Sequence, residues 1–197
     1  MSYFCFRRKR CLVTYWKGRH FQLSIFNFQL ETNSNYLMMN IRVGFGYDVH
    51  QLTQGRELWM GGIKIPHELG LLGHSDADVL IHAICDALLG AANMRDIGFH
   101  FPDTGSEFKN IDSKILLQKT VKLLSEKSYK IGNVDSTICA EKPKINPFIP
   151  QMQQTLSDCM QIPLDSVSIK ATTNERIGFV GREEGIAAYA TVLIYKE

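Results

Sequence analysis

The sequence predicts an α+β protein, a mixed four-stranded β-sheet with helices over one face and a small hairpin beside it. Three observations lead there. Strand-like and helix-like segments intermix without the strict alternation of a doubly wound sheet. The helical segments are amphipathic, each with one apolar face to bury. The 197 residues, 45% apolar and 21% charged, are ordinary for one globular domain with a proper core.

The elements follow in chain order. Ile41–His50 (IRVGFGYDVH) alternates and is β-prone, so it reads as a strand with a polar end. Glu57–Ile65 (ELWMGGIKI) sets Gly-Gly between two short apolar runs, a hairpin signature. Ser75–Ala92 is the clearest helix, with Ser75 and Asp76 as candidate caps and Val79, Leu80, Ala83, Ile84, Ala87 and Leu88 at helical spacing. Asp112–Lys127 is a second amphipathic helix. Asn133–Ala140 is a strand, and Pro147–Met160 is a short helix with Pro150 in its first turn. Val167–Thr172 and Ile186–Tyr195 complete the strands.

The first forty residues differ from the rest. They are rich in aromatics, lack a sustained period, and carry six basic residues against the single acid Glu31. The remainder holds 16 basic and 19 acidic residues, so the body is mildly acidic and offers no basic face for nucleic acid. Lys17, Arg19 and His20 interrupt any signal-like apolar run, and no stretch is long enough to span a bilayer. Residues 1–38 are expected to lie outside the fold, as a misassigned start upstream of Met38 or Met39 or as a disordered extension. Organelle import is the lesser alternative, and a cytoplasmic domain over residues 39–197 is expected. The five cysteines show no CxxC spacing, which argues against a disulfide framework or a thiolate metal site.

Several segments carry residues suited to chemistry. Asp48 and His50 are two apart on a strand and present an oxygen and a nitrogen to one side. His82 sits mid-helix on a face shared with Asp78 and Asp86, either of which could orient its ring. One carboxylate and two imidazoles would give zinc three ligands and leave a fourth position open. Equally, a DxH pair arises by chance and a helical His is commonly a satisfied polar residue. Gly73-His74-Ser75-Asp76 precedes a helix and would suit a phosphate, or simply cap the helix. Asp96-Ile97-Gly98 and Phe101-Pro102-Asp103-Thr104-Gly105 form a turn-rich stretch that reads as a binding loop or as ordinary turns. Thr172-Thr173-Asn174-Glu175 places hydroxyls and a carboxylate at a strand end, suited to phosphate and a hard cation. Gly178–Arg182 then adds an aromatic and a guanidinium, or a plain polar turn.

Taken in order, GFGYDVH, GLLGHSDADVLIHAICDALLGAA, DIGFHFPDT, GNVDSTICAEKPKINPFIPQM and IKATTNERIGFVGREEGIA resemble the 2-C-methyl-D-erythritol 2,4-cyclodiphosphate synthase family of the non-mevalonate isoprenoid pathway. The resemblance spans residues 41–195. It implies zinc on Asp48, His50 and His82, and magnesium or manganese on Glu175 with the substrate diphosphate. His74 and Thr173 would stabilise the transition state. Substrate contacts are implied for Asp48, Val49, His50, His74, Ser75, Asp96, Ile97, Gly98 and Phe101 to Gly105. Ala140, Glu141, Lys142, Pro143, Lys144, Ile145 and Asn146 match a cytidine-binding loop. Thr172, Thr173, Asn174, Glu175, Phe179 and Arg182 match further substrate positions. The family pattern is a homotrimer with active sites between subunits and a central cavity that takes an isoprenoid diphosphate. Asn174, Gly105, Ala77 and Glu183 depart from the commonest family residues, and none is a proposed metal ligand.

Two rival classes share parts of this pattern. A zinc phosphodiesterase or pyrophosphatase would use water and release linear products. A non-catalytic trimeric module would bind a nucleotide or isoprenoid diphosphate and tolerate loss of the metal ligands.

Overall fold

The computed structural model describes residues 3–6, 10–17, 20–27, 40–102 and 110–196, with only the backbone described before residue 40. It divides into two units, residues 1–38 and 39–197. The first holds three antiparallel strands, β1 (Tyr3–Phe6), β2 (Arg10–Lys17) and β3 (His20–Asn27), paired in the order β1-β2-β3. The sequence reading found no strand period there because apolar residues occupy both parities of a run such as CLVTYW.

The second unit is built on a mixed sheet. β4 (Asn40–Thr53), β10 (Gly185–Lys196), β8 (Lys130–Cys139) and β9 (Val167–Thr172) are its long strands. The order is β7-β4-β10-β8-β9, where β7 (Gly70–Leu71) adds a two-residue fifth strand to the four expected. β8 and β9 are parallel and the other pairs antiparallel. The expected hairpin is present as β5 (Leu58–Met60) and β6 (Ile63–Ile65), turning through Gly61 and Gly62 at φ 59° and 78°.

Helix α1 (Val79–Ala91) lies directly on β4 and β10. A Cβ on Gly44 would sit 1.9 Å from the Ala87 carbonyl oxygen, and one on Gly46 would sit 2.0 Å from that of Ala83. The helix backbone therefore rests on the strand backbone, a distance that only glycine permits. Because Ala87 faces Gly44 and Ala83 faces Gly46, the helix runs against the strand direction and its first turn lies toward Asp48 and His50. α3 (Ser113–Glu126) packs on α1, and α4 (Ile149–Met160) packs on α3 and β9, completing the helical layer. The core between the layers includes Leu80, Ile84, Leu88, Leu117, Val134, Ile138, Val192 and Ile194, all fully or almost fully buried.

Several boundaries differ from the sequence reading for identifiable reasons. Asp78, not Ser75 or Asp76, caps α1, accepting from the Ile81 amide at 3.0 Å. Asp78 is fully buried and also accepts from the Gly61 and Gly62 amides at 2.9 and 2.6 Å, locking the hairpin turn to the helix start. Burial, then the neighbouring Asp76, raise its carboxyl pKa against the pull of these amides. The Asp96-Ile97-Gly98 loop is a short helix, α2 (Ile97–His100), capped by the Asp96 side chain on the Phe99 amide at 2.9 Å. Gly178–Gly181 likewise forms one helical turn, α5. Cys85 is a buried core residue whose thiol burial pushes up to about 12.

The sheet face away from the helices is apolar and open. Ile41, Val43, Phe45, Tyr47 and Val49 alternate along it from β4, and Val43 and Phe45 are each 65% exposed. Tyr189 from β10 adds to the patch, its ring 5.0 Å from that of Tyr47.

The glycine contact gives a direct test. Gly46→Ala is expected to destabilise the protein by about 3 kcal/mol or more, since the Cβ meets backbone that cannot rotate away. A denaturant midpoint unchanged from the parent would show that α1 is free to lift off β4.

Candidate metal centre and substrate clefts

The end of β4 and the first turn of α1 bring three ligand-type side chains together. Asp48 Oδ2 lies 3.0 Å from His50 Nε2 and 3.0 Å from His82 Nδ1, and the two ring nitrogens are 3.1 Å apart. This is the one cluster of its kind among the described residues. All three residues are partly buried. Burial would push the Asp48 carboxyl up, but hydrogen bonds to His50 and His82 outweigh it and hold Asp48 well below the usual carboxylate range. For His50, burial disfavours the charged form, and Asp48 more than compensates, so its pKa rises.

The partners of the outer ring nitrogens decide what the inner ones offer. His50 Nδ1 is 2.8 Å from the Leu72 carbonyl oxygen, which only accepts, so Nδ1 carries the proton. When a cation replaces the proton shared with Asp48, its Nε2 presents a lone pair inward. On the far side of His82, Nε2 lies 3.0 Å from Ser113 Oγ and 3.2 Å from Ser75 Oγ. With that nitrogen protonated, His82 Nδ1 is also a lone pair aimed inward. A carboxylate oxygen and two imidazole lone pairs thus converge on one point, an arrangement stabilised by a cation. Their spacing is close to the edge of a tetrahedron with bonds of about 2.0 Å, which is about 3.3 Å. The residues fit a zinc-type ion.

The expectation that Asp78 or Asp86 orients His82 is corrected here. Asp78 is used up in capping, and Asp86 accepts from the Ile97 amide at 2.8 Å. Ser75 and Ser113 take that place. Ser113 was read only as part of a helix start, because sequence spacing does not relate positions 82 and 113. The Gly73–Asp76 segment is also not an open helix N-terminus, since α1 begins at Val79 and Asp78 already caps it. It is a loop folded over His50: a Cβ on Gly73 would come within 3.0 Å of the His50 ring.

A cleft of about 280 Å³ opens over the cluster, lined by Asp48, His50, His74, Ser75, His82, Ile97, Gly98 and Phe101 among others. Exposed His74 stands at its wall. Val49 presents its side chain to the opposite sheet face, and Asp103, Thr104 and Gly105 lie outside the described residues.

The other expected site residues gather elsewhere. A second cleft, about 370 Å³, forms where β8 and β9 end and is lined by Ala140, Glu141, Pro143, Lys144, Ile145, Asn146, Thr172 and Thr173 with neighbours. Glu141 Oε1 accepts from the Asn174 and Arg176 amides at 2.9 and 3.1 Å, which ties the Thr173–Arg176 turn to this loop. Thr173 Oγ1 donates to Glu175 Oε1 at 3.2 Å, and Glu175 is exposed with φ 50°. Lys142 pairs with Glu183 at 3.0 Å, and Arg182 makes a two-pronged pair with Glu184 at 2.8 and 3.0 Å. Phe179 is exposed on α5. Among the described residues, none lines both clefts.

A metal-type Asp-His-His centre beside one cleft, with a proline-lysine loop lining another, is a specific combination, and comparison with known proteins agrees. The family model of the YgbB family matches residues 41–195. The chain belongs to that family. It is 74% identical over 158 residues to a 2-C-methyl-D-erythritol 2,4-cyclodiphosphate synthase of Phocaeicola vulgatus, covering 80% of this chain and 99% of that one. A Bacteroides fragilis protein of the same name is 71% identical over 156 residues, covering 79% and 98%. Among solved structures, a Plasmodium falciparum IspF in complex with CDP superposes with a TM-score of 0.71 at 34% identity, covering 80% of this chain and 97% of that one.

His82→Ala removes the ligand delivered by α1. It is expected to reduce the metal bound per chain, after loading with zinc, to near zero, read by elemental analysis, because an open zinc site commonly needs three protein ligands. Full zinc content in that variant would remove the cluster as the metal centre.

Proposed function

We propose that the chain closes 4-diphosphocytidyl-2-C-methyl-D-erythritol 2-phosphate into the 2,4-cyclodiphosphate with release of CMP, at a zinc site completed by a second copy of the chain. As a family member it is a lyase acting on phosphorus–oxygen bonds in isoprenoid biosynthesis. The observation that carries the reading is the convergence of Asp48, His50 and His82 lone pairs at the base of a cleft.

In this reaction the 2-phosphate attacks the β-phosphorus in line and CMP leaves with the bonding pair. The nucleophile is already an anion, so the site must chiefly hold two repelling phosphates together and balance their charge. Asp48, His50 and His82 would hold the zinc, which would supply Lewis-acid charge to the site. Magnesium, which commonly takes one or two carboxylates plus substrate oxygens, would suit the exposed carboxylate of Glu175. His74 at the wall of the first cleft and the Thr173 hydroxyl at the second donate hydrogen bonds to charge that builds in the transition state. Asp96, Ile97, Gly98 and the Phe101–Gly105 stretch hold the methylerythritol part, and the Ala140–Asn146 loop holds cytidine.

Cytidine and metal-centre residues line different clefts of one chain, which favours a site shared between copies. The open apolar sheet face gives such an assembly its driving force: alternating Val43, Phe45, Tyr47 and Val49 remain in water unless another chain covers them. A cyclic trimer places three such faces around an axis, leaving a central cavity for an isoprenoid diphosphate. Residues 1–38 are proposed to be dispensable, and the enzyme cytoplasmic. Among the described residues no helix is long and apolar enough to cross a membrane.

With Mg²⁺ and the cytidyl substrate, ³¹P NMR is expected to show two coupled diphosphate resonances plus CMP. Signal should vanish with a zinc chelator and persist in a 39–197 truncation. Linear phosphate products would instead establish a hydrolase. Phe45→Asp should shift the assembly toward smaller species in sedimentation velocity, because the charge would be buried at the proposed interface. An unchanged sedimentation coefficient would place the interface elsewhere.

A further inference from the structure

We infer that Asp76 and Ser113 act as a positioning pair that fixes the ring tautomer of His82, and through it the affinity of the metal centre. This inference rests on the proposed metal site and extends it to residues that touch neither metal nor substrate.

The direction of each hydrogen bond carries the inference. Ser113 is fully buried at the start of α3, and its amide donates to Asp76 Oδ2 at 2.9 Å. Its hydroxyl donates to Asp76 Oδ1, which also accepts from the Asp78 amide at 3.2 Å. As a carboxylate Asp76 has no proton to give, so the Ser113 hydroxyl proton is committed to it. Ser113 Oγ therefore faces His82 Nε2, 3.0 Å away, with a lone pair and accepts from it. His82 is thereby held as the Nε2–H tautomer, with the Nδ1 lone pair toward Asp48 and His50.

Ser75 does not do this by itself. Its Oγ accepts from the Ala77 amide at 3.1 Å, but its hydroxyl proton remains free to rotate, so it would satisfy either tautomer of His82. Only Ser113 has its polarity dictated from outside. The chain Asp76 → Ser113 → His82 also explains why α3 must dock where it does, with residue 113 beside a helix thirty residues earlier.

The test uses zinc-loaded full-length protein and a competing chelator to measure zinc affinity. Ser113→Ala and Asp76→Asn should each weaken zinc binding by about 10–100-fold, the range typical for groups that orient a metal-bound His. Asp76→Asn is the sharper variant, because its amide N–H can turn the Ser113 hydroxyl toward His82 as a donor. Ser113→Thr retains the hydroxyl and should restore affinity to within a few-fold of the parent. Long-range ¹H–¹⁵N correlation on zinc-free ¹⁵N-His protein reads the tautomer directly: His82 should be Nε2-protonated in the parent and Ser113→Thr, and mixed or reversed in Asp76→Asn. Parent-like affinity and tautomer in both Ser113→Ala and Asp76→Asn would overturn the inference while leaving the metal site standing. Equal losses in Ser113→Ala and Ser113→Thr would assign the effect to packing and overturn it too. A parent that binds no zinc would remove the site and the inference together.

Discussion

The site depends on how closely α1 can approach β4. The Ala83 and Ala87 carbonyls lie where a Cβ on Gly46 and Gly44 would be, so the two backbones are in direct contact. One methyl group at either glycine would lift the helix by more than the tolerance of a metal site, in which ligand atoms must meet within tenths of an ångström. The same contact fixes the direction of α1, and with it the delivery of His82 to the end of the strand that carries Asp48 and His50. Glycine weakens a strand by its entropy, yet here it sets the spacing on which three ligands converge.

Fixing the ligand atoms in space is half of the task; fixing which of them carry protons is the other. The Leu72 carbonyl settles this for His50, and on the inference above the buried Ser113 hydroxyl settles it for His82. Asp78, fully buried, serves neither ring. Its oxygens hold the Gly61–Gly62 turn and the start of α1 together, so this acid is structural, while the loop before it brings Ser75 to His82 and Asp76 to Ser113. The cost of burying that carboxyl is offset by three amide hydrogen bonds at one point.

The sheet is unusual in placing its glycines inward and its large apolar residues outward on β4. In a monomer this inverts the ordinary logic of a half-buried strand, and it becomes reasonable once the outer face is given a partner. The proposed shared site would account for the separate clefts in the same way. The metal-type centre lies under α1 at one end of the sheet order, and the Pro-Lys loop lies at the β8–β9 edge, with β10 between.

Sequence alone determined the long strands and the three long helices of residues 40–196, the hairpin, and the three metal-ligand candidates. Periodicity and ligand chemistry are local properties, and the two-residue spacing of Asp48 and His50 already puts them on one face. The family resemblance, read from the joint order of its motifs, added the roles that spacing left open. Sequence did not reveal the strands before residue 28, where apolar residues on both parities hide the period, nor that Asp96 caps a helix. Only the tertiary structure decided that Ser113, not Asp78 or Asp86, meets His82, and that the apolar side of β4 faces away from the helices. Those are questions of which distant segments touch and which face is covered. They are settled by packing between elements far apart in the chain, where no local pattern carries the information.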